Sequence, residues 1–271
     1  MVGDDPSRSF GSGKNSRRSA MVLCSSEAVV LRTYDLGNAD KIVVALTRSY
    51  GKVRGVAQGA RRLKSPFVGR LEPFNWVEMC FFEKESQDLV KIDKIELLQA
   101  FASNISEYRS FLQLSFLVEL LLETTPDREP NDPLFRLLVL VLEEMQNPAR
   151  SDLAQLYFQV WYLKISGLFP AAKNCAQCGV SLMDASLVYY APELQGFLCP
   201  SCRKIDSQSI SVGSFKLLDQ IVNKKLKVIE SDKAGELTYF DLQRIMDGML
   251  RRCFEREFES LTMLRQGLRL N

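Results

Sequence analysis

Between Leu23 and about Leu98 the chain reads as a series of short strands. AVVLRTYD (Ala28–Asp35), KIVVALT (Lys41–Thr47), KVRGVAQG (Lys52–Gly59), FNWVEMCFFEK (Phe74–Lys84) and DLVKIDKIELL (Asp88–Leu98) are rich in β-branched and apolar residues, the composition of pleated, half-buried segments. LGNAD, RSYG and ESQ fall between neighbouring runs and supply turn residues. Five short strands joined this tightly predict a small closed barrel.

From Ile105 the period becomes helical. ISEYRSFLQLSFLVELLLE repeats apolar residues at spacings of three and four, which places them on one face of a helix. TTPDREPNDP breaks the pattern. Asp132-Pro133 then predicts an N-cap followed by proline at the first helical position, opening LFRLLVLVLEEMQ. Beyond Asn147-Pro148, Ser151 or Asp152 is the expected cap of LAQLYFQVWYLKISG, which stops at Gly167 and Pro170. SVGSFKLLDQIVNKKL and LTYFDLQRIMDGMLRRCFEREF read as two further helices. Residues 1–20 are rich in Ser, Gly and charge and read as a disordered tail. The expected organisation is therefore α+β and multidomain: a tail at 1–20, a barrel at 21–100, and a helical domain at 101–271 with a cysteine module inserted at 171–205.

Composition narrows the chemistry. Hydrophobic residues at 46% and charged residues at 25% are ordinary for a globular protein. No apolar run approaches the roughly 18–20 residues that span a bilayer. MVGDDPSRSFGSGKNSRRSA has no apolar core of the kind a signal peptide needs. The expected location is cytoplasmic, with cysteines reduced or metal-bound. The chain has no histidine, which removes the usual general base near neutrality and all His-ligated metal sites. It also has no Walker A loop: Asn15 follows Gly13-Lys14, and Arg8 stands where the first glycine belongs. No carboxylate spacing stands out from solvated helix faces, so no catalytic residue is assigned and the chain is expected not to be an enzyme.

NCAQCGVSLMDASLVYYAPELQGFLCPSCRK carries Cys175, Cys178, Cys199 and Cys202 in two CxxC pairs. Each CxxC turn aims two sulfurs at one point, and two turns supply a tetrahedral set suited to Zn²⁺. Gly179 permits the tight turn after the first pair. SLVYYAP and GFLC read as a hairpin, the shape of a zinc ribbon. Redox CxxC chemistry and two structural disulfides are the competing readings. Four thiolates close the coordination shell, so the metal should be structural rather than catalytic. In small zinc peptides such a site contributes about 10–16 kcal/mol of folding energy. Cys24, Cys80 and Cys253 stand apart in apolar patterns and read as packing residues.

One stretch is electrically exceptional. Residues 41–70 hold Lys41, Arg48, Lys52, Arg54, Arg61, Arg62, Lys64 and Arg70, with no Asp or Glu, in a chain of net charge +2. A charge run is commonly a solvated face, but a solvated face is normally balanced by interspersed acids. Such clustering is unfavourable unless a polyanion relieves it. On barrel strands and the loop QGARRLKSPFVGR, with Tyr34, Tyr50, Phe67, Phe74 and Trp76 nearby, it predicts a single-strand binding groove. Trp76 is better explained as core packing. Six phosphate contacts would give a log–log salt slope of about −4 on single strands. With no base-reading motif, binding should be largely independent of sequence.

These pieces, in this order, resemble the bacterial recombination-repair mediator family RecO. SSEAVVLRTYDLGNADKIVVALTRSYGKVRGVAQGARRLKS is similar to the family's first strands. WYLKISGLFPAAKNCAQCG with LQGFLCPSC is similar to its helix and zinc module. The resemblance implies an N-terminal OB-fold β-barrel, a helical domain and an inserted four-cysteine zinc ribbon-like element. It also implies binding to single- and double-stranded DNA and annealing of complementary strands without ATP. The implied partners are RecR (and RecF) and the C-terminal tail of the single-strand-binding protein SSB, in loading RecA onto SSB-coated DNA. The SSB-binding position does not map onto this chain. Two rival readings remain: a zinc-ribbon module for RNA or protein partners, and a metal-dependent nuclease, which would need clustered carboxylates.

Overall fold

A computed structural model of the chain describes residues 21–84, 87–101, 107–230 and 236–267; the tail expected at residues 1–20 lies outside the described residues. Strands β1 (Val22–Leu36), β2 (Asp40–Thr47), β3 (Gly51–Ala57), β4 (Asn75–Glu83) and β5 (Val90–Ala100) close a barrel in the order β1-β2-β3-β5-β4. The β3–β5 pair is parallel and the other four pairs are antiparallel. This is the five-stranded OB arrangement. Alternate residues fill the interior, among them Ala28, Val30, Val43, Ala45, Val53, Val77, Met79 and Phe81.

Strand β1 is buried on both faces from Ala28 to Leu31. Ala28 and Val30 belong to the barrel core, while Val29 and Leu31 join Leu46 and Phe74 in the core of the helical part. That double burial explains why the run is continuously apolar rather than alternating. A bulge between Val30 and Arg32 ends it.

The helical part begins with α1 (Tyr108–Thr124), α2 (Asp132–Glu144) and α3 (Ser151–Ile165). Its chain then forms a three-stranded sheet of β6 (Val188–Ala191), β7 (Gly196–Leu198) and β8 (Gln208–Ile210), in the order β7-β6-β8. It closes with α4 (Val212–Asn223), α5 (Glu236–Phe254) and α6 (Glu259–Gly267). Two expected caps fall elsewhere. The α2 cap is Asn131, whose side chain accepts from Leu134 N, and Asp132 is already helical. Neither Ser151 nor Asp152 caps α3. A 3₁₀ turn over Pro148–Arg150, capped by Asn147, feeds straight into it. Asp152 instead accepts hydrogen bonds from Arg109 (2.6 Å) and Gln113 (2.7 Å) on α1.

The helix expected over LTYFDLQRIMDGMLRRCFEREF ends at Phe254, four residues short of that stretch's end. Glu255 takes φ +50°, and α6 starts afresh at Glu259. The Glu119 carboxylate accepts from the α6 backbone at Glu259 (2.7 Å) and Ser260 (2.9 Å), an N-cap supplied by a distant residue and therefore invisible to local pattern. Phe258 packs edge-on against Phe116, and Arg265 pairs with the buried Asp247.

The barrel is fixed to the helical part through its β2–β3 turn. Lys52 is 3% exposed. Its ammonium donates to the Leu122 carbonyl (2.7 Å) and pairs with Asp127 (3.3 Å). The Arg128 backbone N–H donates to the Lys52 carbonyl (3.0 Å). Next to it, Gly51 has φ +67°, and a Cβ there would lie 2.3 Å from the Glu129 carbonyl oxygen. Gly37, at φ +57°, has open space where its Cβ would be. Gly37→Ala should cost about the left-handed penalty of 1–2 kcal/mol. Gly51→Ala should cost clearly more and lower the thermal midpoint further. Equal shifts would show that the seam tolerates displacement.

Candidate metal centre and nucleic-acid interface

Helix α3 ends in a left-handed glycine, Gly167, with φ +71°. The chain then makes the first CxxC turn. Gly179, φ +75°, lets its N–H donate to the Cys175 carbonyl (2.9 Å), while Cys175 N–H donates to Val180 O (2.8 Å). The second pair follows β7: Cys199 leads into a single 3₁₀ turn over Pro200–Cys202, with Cys202 N–H donating to Cys199 O (3.1 Å). The two turns are tied together by Ala176 N–H donating to Phe197 O (2.8 Å). They meet so closely that a Cβ at Gly196 would lie 2.6 Å from the Ala176 methyl.

All four sulfurs of Cys175, Cys178, Cys199 and Cys202 lie within 4.8 Å of one another, and the Cys178–Cys199 pair is 3.7 Å apart. A tetrahedron with metal–sulfur bonds of about 2.3 Å has edges of about 3.8 Å. The four thiols are thus arranged to hold a metal ion. Burial works against the Cys175 thiolate, but backbone N–H groups of Cys178, Cys199 and Gln177 outweigh it and bring its pKa down to about 6. Cys202 is pushed up to about 12, first by its hydrogen bonds with Cys178 and Cys199. The cluster thus favours the thiolate at Cys175 and the thiol at Cys202. Behind the centre, fully buried Phe197 packs against Phe169, Tyr190 and Phe215, linking the module to α4.

The acid-free stretch does not converge as a set of eight. Strand β2 separates Lys41 from Arg48 by seven residues, about 23 Å along a strand. At the Arg48 end the cations are neutralised. Arg48 donates to Asp132 (2.7 Å) and Glu27 (2.9 Å), which hold its guanidinium pKa above the ordinary value. Lys52 and Arg54 share Asp127, at 3.3 and 3.4 Å. Two of these three carboxylates, Asp127 and Asp132, come from TTPDREPNDP. That segment reads as a mere break, and no local signal shows that it meets the barrel.

At the other end the loop after β3 folds back on the β1–β2 turn, with Arg61 N–H donating to Ala39 O (2.9 Å) and Asp40 accepting from Gly59 N–H (2.7 Å). Arg61 pairs with Asp35 at 3.3 Å in an exposed contact. Arg62 and Lys64 are exposed and Lys41 is half-buried; none of the three side chains has an ion-pair or hydrogen-bond partner among the described residues. Arg70 donates to Ile95 O (2.9 Å). Of the five aromatic residues expected beside the cations, Tyr34 alone stands out in solvent, at 47% exposure. Phe67 and Phe74 are buried, Tyr50 packs edge-on against Phe81, and Trp76 lies against the helical core.

No helix among the described residues is long and apolar enough to cross a membrane. A family model described as recombination protein O, N-terminal, matches residues 21–101, and its C-terminal counterpart matches residues 106–262. The chain is 31% identical over 243 residues to the DNA repair protein RecO of Koribacter versatilis, covering 90% of this chain and 98% of that relative. It is 30% identical over 251 residues to the DNA repair protein RecO of Dehalococcoides mccartyi, covering 91% and 96%. With the DNA repair protein RecO of Thermodesulfovibrio yellowstonii it shares 32% identity over 230 residues, covering 82% and 90%.

The sulfur geometry sets an expectation for the purified chain. Elemental analysis should find one metal ion per chain, and Cys202→Ser should lose most of it and lower the thermal midpoint. Full metal content in that variant would show that the four thiols do not act as one centre.

Proposed function

The chain belongs to the recombination protein O family of DNA repair proteins, and from that premise we propose that it binds single- and double-stranded DNA and anneals complementary strands without ATP. The observation that carries this reading is the cluster of uncompensated cations at the free end of the barrel. The side chains of Lys41, Arg62 and Lys64 have no ion-pair partner among the described residues, and Arg61 beside them has only an exposed pair with Asp35. Arg48, Lys52 and Arg54 are committed to the seam with the helical part, and their role is structural. Four phosphate contacts rather than six give a log–log salt slope of about −3 on single strands.

Two DNA strands repel each other through their phosphates. A cationic barrel end screens that repulsion and leaves the bases free to pair, and the free energy of the duplex drives the product. No nucleotide is consumed, in keeping with the missing Walker A loop.

The metal proposed for Cys175, Cys178, Cys199 and Cys202 is Zn²⁺, because four thiolates in a tetrahedron suit it and leave no coordination position for water. Its part is to hold the ribbon against α4. The proposed division is a DNA-binding barrel over 21–100 and a helical domain over 101–271 with the zinc module at 171–205. In the cytoplasm, the partners consistent with the family are RecR (and RecF) and the SSB C-terminal tail, in loading RecA onto SSB-coated DNA.

The direct test is an annealing assay on complementary oligonucleotides with Arg61, Arg62 and Lys64 changed together to Glu. The rate at physiological salt should fall at least about tenfold as the phosphate contacts are lost. An unchanged rate would remove the barrel end from the mechanism.

A further inference from the structure

A groove of about 770 Å³ lies between β1, the segment Gly69–Asn75 and helix α1, within the roughly 300–1,000 Å³ range of small-ligand sites. Leu31, Pro73 and Phe74 give it an apolar lining. Tyr108 and Phe111 line it from α1 and stand 69% and 50% exposed. They are three residues apart, so they occupy one helix face. Arg32 lines the same groove and is exposed, and its side chain has no ion-pair or hydrogen-bond partner among the described residues. The two exposed rings form a small apolar surface beside a solvated guanidinium.

We propose that this groove takes an unpaired base of a single strand, with Tyr108 and Phe111 as the stacking rings and Arg32 as the phosphate contact. The inference rests on the DNA-binding reading above and extends it to a second element. Two features choose this occupant. The segment Gly69–Asn75 follows in sequence the loop carrying Arg61, Arg62 and Lys64, the cations of that reading. Arg32 also lies two residues before the exposed Tyr34 on β1, and alternation puts both on one face of the strand. Glu72 and Glu107 also line the groove. Their charge turns phosphates away, which leaves the backbone on the Arg32 side and admits the base alone. Stacking of this kind is tolerant of sequence and is specific to unpaired strands, because a duplex presents no free ring face.

The test uses the full chain and a labelled oligonucleotide, titrated across a salt series, for wild type, for Tyr108→Ala with Phe111→Ala, and for Tyr108→Trp with Phe111→Trp. The alanine variant should bind a single strand at least about five-fold more weakly, the loss of about 1 kcal/mol of stacking. Its salt slope should be unchanged, because no phosphate contact is removed. Duplex affinity should be unchanged, an abasic strand should bind wild type and alanine variant alike, and the tryptophan variant should retain affinity. Equal single-strand affinity of the alanine variant and wild type would overturn the inference while leaving the DNA-binding reading intact. So would an equal loss on duplex and single strand, which would mark the rings as structural. A wild-type chain that binds no single strand would overturn both.

Discussion

The molecule is organised around one buried ammonium group. Lys52 lies where the barrel meets the helices, and a charge at that depth is tolerated only when paired and hydrogen-bonded. Leu122 supplies a carbonyl and Asp127 a carboxylate. To deliver them, the α1–α2 connection must lie against the β2–β3 turn, close enough that Gly51 admits no side chain. Arg48 and Arg54 reinforce the same seam through Asp132 and Asp127. The barrel is therefore held at the β2–β3 turn and along β1, whose Val29 and Leu31 enter the helical core, while the β1–β2 turn lies at the opposite end of β2.

That asymmetry gives the positive stretch two purposes. The cations nearest the helices act within the protein; those across β2 remain available to a polyanion. The charge total of the segment is the same in either role, and the placement of three carboxylates separates them. The cysteine module sits on a different part of the helical domain, against α4. Its sulfurs organise a ribbon whose own apolar core is small, with Phe197 as the shared anchor. The structure thus separates a stabilising centre from the surface proposed to meet DNA.

Much of this is legible in the chain itself. The strands of the barrel are visible because β-branched runs alternate with turn residues over short distances, and the CxxC pairs because their spacing dictates convergence. Caps and breaks are less legible, because they depend on partners far away in sequence: Glu119 starts α6, and a 3₁₀ turn displaces the expected cap of α3. β8 has only three residues and no period to detect. The interface is the least legible part. Lys52 and Arg62 look alike in a sequence, and only the fold shows that one is buried against a carbonyl and the other is not. Arg32, Tyr108 and Phe111 carry no local signal for the same reason, since strand β1 and helix α1 meet only in three dimensions.

The central claim is that the two ends of the acid-free stretch act differently. The most direct measurement is the salt dependence of single-strand affinity for two paired substitutions, Arg62→Gln with Lys64→Gln at the free end and Arg48→Gln with Arg54→Gln at the seam. Loss of two phosphate contacts should make the log–log slope shallower by about 1.4 for the first pair. The second pair should lower thermal stability and leave the slope as in wild type. A slope that flattens equally for both pairs, or only for the seam pair, would contradict the account.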